Sequence, residues 1–104
     1  MSDFKMITCI VERGKADKVI KKISASIGYG ITSYYARGTG VREKIGLSGR
    51  LIEPEKEVFT TVVPAEKAEE VFNSIVELAH LKEPGKGFAF IQSVEKAVGF
   101  YRRD

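Results

Sequence analysis

Two glycine-rich stretches contain the residue types that most readily bind phosphate. Gly38-Thr39-Gly40 precedes a long charged segment, and Gly85-Lys86-Gly87 places a lysine between two glycines. Glycines let backbone N–H groups approach an anion closely, and the lysine adds a positive charge. Glycines are also typical of ordinary turns. The sequence therefore offers two candidate anion-binding segments, each with turn formation as its alternative interpretation.

Neither stretch completes a known nucleotide-binding motif. The dinucleotide-binding pattern Gly-x-Gly-x-x-Gly, started at Gly38, requires a glycine where the chain has Glu43. A Walker loop that ends at Gly85-Lys86 requires a glycine in place of His80 and a hydroxyl residue in place of Gly87. These motifs alone do not assign a nucleotide-binding fold.

An RNA-binding signature is the third candidate. Residues 86–93 match most of the signature of RNA-recognition motifs, in which strand aromatics stack on bases. In that motif the strand precedes the second helix, whereas here it follows the second predicted helix. The first predicted strand also lacks an aromatic where stacking would need one. An RNA-binding module is therefore the less favoured alternative, and we expect no nucleic-acid partner.

Catalytic or metal chemistry finds little support in the residue types. His80 is the single histidine and has no cysteine near it, and Cys9 stands inside an apolar stretch. Acidic side chains fall mostly on the polar faces of predicted helices. We therefore expect neither an enzyme nor a metal site.

The elements that would position these residues repeat one pattern. Four strands are predicted from their Ile, Val, Thr and aromatic content: Phe4–Glu12, Ile31–Arg37, residues 57–63 and residues 87–93. Apolar residues at three- and four-residue spacing predict a helix after the first strand and another after the third. These residues are Ala16, Val19, Ile20, Ile23 and Ile27, then Ala68, Val71, Phe72, Ile75 and Ala79. Residues 94–101 are predicted as a short final strand.

This order of elements predicts the α+β class and a ferredoxin-like βαββαβ sandwich with an antiparallel sheet. Residues 1–104 form one domain, and residues 41–55 form a long loop between the second and third strands. Two helices cover only one face of the sheet. Because the strands are strongly apolar, we expect self-association to bury the other face.

Composition limits the cellular setting. The 104 residues carry a net charge of +3, and the charges are interspersed rather than gathered in a basic stripe. No apolar run approaches the roughly 20 residues of a membrane span, and the first residues lack the apolar region of a secretory signal. A single cysteine suits a reducing compartment. We expect a cytoplasmic protein without direct membrane insertion.

Taken together, these elements resemble the PII, or GlnB-like, family of signalling proteins over nearly the whole chain. The resemblance rests on the opening strand, Gly38-Thr39-Gly40 before a long loop, the strand ending at Val62-Val63-Pro64, and residues 85–90. In that family the long loop is the T-loop, which engages partner proteins. Residues 41–55 therefore resemble a short T-loop.

The resemblance implies a homotrimer with clefts between neighbouring subunits, where adenine nucleotides bind. The ligand-binding residues that it implies, together with nearby cations, are Gly38, Thr39, Gly40, Arg42, Val63, Gly85, Lys86, Gly87, Arg102 and Arg103. In this comparison Val63 lies near the adenine and residues 85–87 surround the phosphates. The implied partner-binding residues are Lys44, Leu47 and Arg50. No tightly bound cofactor is expected, and ADP, ATP or AMP is the candidate effector.

Several departures from the family pattern shape this expectation. The loop is short and lacks tyrosine, so uridylylation at the usual site cannot occur. Arg42 or Glu43 stands in place of the glutamine that helps hold 2-oxoglutarate. Ala97 and Gly99 replace arginines of the last strand, and Arg102 and Arg103 can substitute only if the tail folds back.

We therefore expect a divergent PII-like regulator whose effector is an adenylate or a small anion such as bicarbonate. It would signal nitrogen, carbon or energy status to a transporter, an enzyme or a transcription regulator. The alternative is a trimeric interaction module of the same fold without a ligand.

Overall fold

The computed structural model of the chain describes residues 3–38 and 55–100. The elements follow the order β1 (Phe4–Glu12), α1 (Ala16–Ile27), β2 (Ile31–Arg37), β3 (Glu55–Pro64), α2 (Ala65–Leu78) and β4 (Gly87–Val94). The four strands form one sheet in the order β2-β3-β1-β4, and every neighbouring pair is antiparallel. The predicted ferredoxin-like βαββαβ sandwich is confirmed.

The core lies between the sheet and the two helices. Odd-numbered strand residues such as Ile7 and Phe59 are fully buried there, because alternate side chains of a strand point to opposite faces. Helix α1 contributes Ile23 and helix α2 contributes Ile75, each at the spacing that predicted an apolar stripe. We call this side of the sheet the helix face and the even-numbered side the open face.

The open face carries large apolar side chains without a helix over them. Met6, Ile10, Val58 and Val62 lie on the two central strands, as the register of β1 with β3 shows. At the edges, Tyr34 of β2 is 52% exposed and Phe88 of β4 is 61% exposed. An apolar sheet face of this kind is typical of an association surface.

Helix α2 ends in a Schellman motif, in which His80 takes the position that glycine usually occupies. His80 has a left-handed φ of 56°, and the Leu81 N–H donates to the Val76 carbonyl at 3.0 Å. Its imidazole Nδ1 also lies 3.5 Å from a carboxylate oxygen of Glu83. His80 is thus accounted for by helix termination.

Two predicted boundaries are wrong. Glu55, placed in the long loop, is the first residue of β3, and residues 41–54 lie outside the described residues. No strand follows β4 within the described chain, because Val94 is the last residue of β4 and residues 95–100 are irregular. Instead the tail turns back, and the Phe100 ring packs 4.6 Å from that of Phe4 and 5.4 Å from that of Tyr29.

No helix in the described part of the chain is long and apolar enough to cross a membrane.

Candidate functional site

Gly38 and residues 85–87, the described parts of the two glycine-rich segments predicted to bind an anion, lie at the same end of the sheet. We call it the loop end, since β1 and β2 finish there and β3 and β4 begin there. The register fixes this arrangement, because Val11 pairs with Gly87 and Arg37 pairs with Glu55. Gly38 follows Arg37 directly.

These described residues nevertheless stand at opposite edges of the sheet. Gly38 follows β2, and Gly85-Lys86-Gly87 leads into β4, with β3 and β1 between those two strands. Three inter-strand steps of about 4.8 Å separate them by about 14 Å. Within the described residues, one chain therefore does not bring Gly38 and residues 85–87 into a common pocket.

Gly87 has a structural reason to be glycine. Its φ is 148°, and a Cβ at this position would stand 2.5 Å from the carbonyl oxygen of Ile10. The neighbouring Gly85 is also left-handed, with a φ of 80°. These two conformations form the turn that carries the exposed Lys86, whose N–H donates to the Glu83 carbonyl at 3.4 Å.

Gly38 differs from Gly87, because its described surroundings tolerate a side chain. A Cβ added at Gly38 would lie 3.7 Å from Cγ of Lys56, an ordinary contact distance. Lys56, on the central strand β3, is therefore an additional cationic side chain near Gly38 that the sequence interpretation did not select. Its stem lies against Gly38.

Val63 occupies neither edge and lies at the far end of the sheet. It pairs with Lys5, six residues along β3 from Glu57, which corresponds to about 20 Å. Val63 has no exposed surface and packs in the core. The expectation that it contacts the same ligand as residues 85–87 is therefore not supported within one chain.

The other predicted site residues lie outside the described residues: Thr39, Gly40, Arg42, Lys44, Leu47, Arg50, Arg102 and Arg103. The described tail stays at the far end of the sheet, where Phe100 packs against Phe4, the partner of Val94 in the β1–β4 register. Residues 94–98 line an open groove of about 530 Å³ together with Asp3 and Phe4.

Comparison with known proteins decides the family. The family model described as Nitrogen regulatory protein P-II matches residues 4–103. This chain belongs to the P-II family. A solved structure of Arabidopsis thaliana PII bound to citrate superposes with a TM-score of 0.67 at 26% identity, covering 89% of this chain and 78% of that one. Comparison with curated protein sequences found no significant match.

Membership of the P-II family accounts for the fold and for the class of function. P-II proteins are regulatory signalling proteins rather than enzymes. Within the described residues no group of three or more His, Cys, Asp or Glu side chains is placed to hold a metal ion. Burial raises the pKa of the Cys9 thiol to about 12, so it stays protonated at neutral pH.

The RNA-like signature lies on the last strand of the sheet. Phe88 and Phe90 lie side by side on the open face of β4, with ring centroids 5.6 Å apart. They stand on an edge strand that follows α2, as the sequence predicted. RNA-recognition motifs carry the signature on a strand that precedes the second helix.

Sequence interpretation missed one cluster of this P-II protein entirely, at the base of the segment that resembles a T-loop. Arg13 forms an ion pair with Glu55 at 2.9 Å, and its guanidinium lies 4.9 Å from the ring centroid of Tyr35. We call Arg13, Tyr35 and Glu55 the base cluster. No local sequence pattern predicts this cluster, because Arg13 and Glu55 are 42 positions apart and come together only through the β1–β3 register.

Proposed function

We propose that this P-II protein senses an adenine nucleotide or a small anion in clefts between the subunits of a homotrimer. Ligand binding changes how the segment following Gly38 engages a regulated protein. The observation that carries this proposal is the position of Gly38 and Gly85-Lys86-Gly87 at one end of the sheet but at its opposite edges. This separation supports a ligand site shared between two chains, in which the β2 edge of one chain faces the β4 edge of another.

The open face supports assembly as the second element of the proposal. P-II family members are trimeric and interact with regulated proteins. In this chain Tyr34, Phe88 and the apolar residues of the central strands have no helix over them. Packing these faces around a common axis removes them from water and brings the β2 edge of one chain toward the β4 edge of another.

Charge at the loop end supports an anionic ligand. Lys86 is exposed between two glycines, and the side-chain stem of Lys56, on β3, lies beside Gly38. A lysine flanked by unobstructed backbone N–H groups suits a phosphate or a carboxylate. Arg42 and the C-terminal arginines Arg102 and Arg103 belong to the proposal as further cations, by sequence alone.

One observation favours the alternative, a trimeric interaction module that binds no ligand. Gly87 is required by its approach to Ile10, so its presence does not depend on a ligand. The alternative keeps the trimer and the partner-binding segment, including Lys44, Leu47 and Arg50, and omits the effector.

Calorimetry on the purified protein distinguishes these two functions. ATP, ADP, AMP, 2-oxoglutarate and bicarbonate are titrated separately, each in buffers of matched ionic strength. We expect saturable binding of at least one adenine nucleotide below millimolar concentration. If every titrant gives only the heat of dilution and the protein has a trimeric mass, the alternative of a ligand-free interaction module is supported.

A further inference from the structure

The turn between β1 and α1 contacts both strands that border residues 39–54. The backbone N–H of Arg13 donates to the Glu55 carbonyl at 3.2 Å, which extends the β1–β3 ladder by one residue. Its guanidinium donates to the Glu55 carboxylate at 2.9 Å. Two hydrogen bonds from Arg13 thus hold Glu55, the first residue of β3.

The same guanidinium reaches the strand that enters the segment. Tyr35 lies on β2, which is not a neighbour of β1, because β3 stands between them. Tyr35, Glu55 and Glu57 all project on the helix face, as the pairing of Tyr35 with Glu57 requires. The Arg13 side chain therefore crosses β3 on the helix face to meet the Tyr35 ring at 4.9 Å.

A buried carboxylate fixes the position of this turn. Glu57 is only 7% exposed, and it accepts a hydrogen bond from the N–H of Gly14. Gly14 has a φ of 91°, a conformation that glycine adopts without strain. Successive residues of the turn, Arg13 and Gly14, thus bond to successive helix-face residues of β3, Glu55 and Glu57.

We infer that Arg13 is a positioning residue that ties Tyr35 of β2 and Glu55 of β3 to the β1–α1 turn and so reinforces the β2–β3 pairing where the two strands border residues 39–54. It does so by holding Tyr35 and Glu55 through one planar guanidinium. Arginine suits this role because its planar group can stack on a ring and donate in its own plane at once, which lysine cannot do. The consequence for signalling rests on the proposed function, whereas the positioning itself does not.

The Arg13–Glu55 ion pair is weak enough to break and re-form without unfolding the sheet. The side chains of Arg13 and Glu55 are 57% and 49% exposed, so their ion pair is weakened by water and by salt. The ladder bonds of β3 and the Glu57 bond to Gly14 do not depend on the guanidinium. Loss of Arg13 is therefore expected to loosen the base locally without unfolding the sheet.

Hydrogen–deuterium exchange of the full-length protein without ligand tests this inference. Arg13→Ala is expected to raise the exchange rates of residues 35–37 and 55–57 by about threefold to tenfold, with the β1–β4 pairing at Thr8 and Phe90 unchanged. Arg13→Lys should restore only part of the protection. Lys18→Ala, an exposed change on α1, is the matched control and should alter neither region.

Two further variants separate positioning from general stability. Tyr35→Phe keeps the ring and should exchange like the unchanged protein. Tyr35→Ala should raise the same exchange rates as Arg13→Ala. Combining Arg13→Ala with Tyr35→Ala should raise these rates little beyond either single variant, because both remove the same contact. Unchanged exchange in Arg13→Ala, or an equal rise throughout the sheet, would overturn the inference. If no nucleotide binds the unchanged protein in calorimetry, the proposed function fails, and the ligand-free exchange data still decide the role of Arg13.

Discussion

The carbonyl oxygen of Ile10 stands 2.5 Å from the place where a Cβ would lie on Gly87. Two side chains, of Val11 and Leu81, lie 3.0 Å from the same point. This close approach joins the start of β4 to β1, and it fixes where Lys86 stands at the loop end. Gly87 therefore acts on the candidate site through the backbone.

Gly87→Ala is expected to lower the free energy of unfolding by about 2–4 kcal/mol, because a backbone oxygen cannot yield as a flexible side chain can. Urea denaturation measures the change. The control is Gly30→Ala, where nothing lies within 4 Å of the added Cβ, and stability should change by less than about 1 kcal/mol. Similar losses for both variants would contradict the steric explanation.

Local patterns were sufficient to predict the strands, the helices and the fold of this chain. The apolar stripes of α1 and α2 face the core, and the alternation in β1 places Ile7 and Cys9 there. The predicted final strand was wrong, since residues 95–100 are irregular and Phe100 packs against Phe4 and Tyr29, long-range contacts that strand propensity does not contain.

The candidate site was less predictable, because it depends on which strands are neighbours. Family resemblance grouped Val63 with Gly87 in a cleft between subunits; within one chain the β1–β3 and β1–β4 registers place them toward opposite ends of the sheet, so this grouping depends on how the chains assemble. The base cluster shows the converse case, in which Arg13 and Glu55 meet through pairing that no local motif records. A site built from residues distant in sequence can therefore be recognised only once the strand order and register are known.

Cys9 gives a pH dependence of stability. Burial raises its pKa from 9.0 to about 12, so the folded thiol keeps its proton where the unfolded thiol loses it. The unfolded state then binds fewer protons, and the free energy of unfolding should fall by up to about 1.4 kcal/mol per pH unit above 9. Below pH 9 this effect is absent.

Cys9→Ala isolates this effect from the titration of lysines and tyrosines in the same range. Denaturation curves at pH 8, 9 and 10 are compared for both proteins. The stability of the unchanged protein should fall more steeply with pH than that of Cys9→Ala. Parallel pH profiles would show that the thiol does not contribute.

Lys86 tests the ligand directly. Because it is exposed on the turn before β4, Lys86→Ala should leave the free energy of unfolding within about 0.5 kcal/mol. If its ammonium contacts a phosphate, nucleotide binding should weaken by roughly 1.5–3 kcal/mol, about tenfold to a hundredfold or more. Lys82→Ala removes an equally exposed lysine from the same connection and should not change affinity. Equal affinity losses for both variants would indicate a general charge effect.

The last prediction concerns assembly and uses neighbouring residues on opposite faces of β2. A charge at Ile7 or Phe59 would not test assembly, because both side chains are fully buried under the helices and the charge would unfold the single chain. Tyr34 projects from the open face and Ser33 from the helix face, because Ser33 pairs with Phe59 and Tyr34 with Val58. Both are exposed in the single chain.

If the open faces pack together, Tyr34→Asp buries a carboxylate in an apolar interface, whereas Ser33→Asp leaves its charge in water. Light scattering should report a trimeric mass for the unchanged protein and for Ser33→Asp, and a smaller mass for Tyr34→Asp. Because the open face is apolar, the separated chains should also lose stability on dilution. A folded monomer of about the 11.5 kDa chain mass for the unchanged protein would remove both the trimer and the ligand cleft that depends on it.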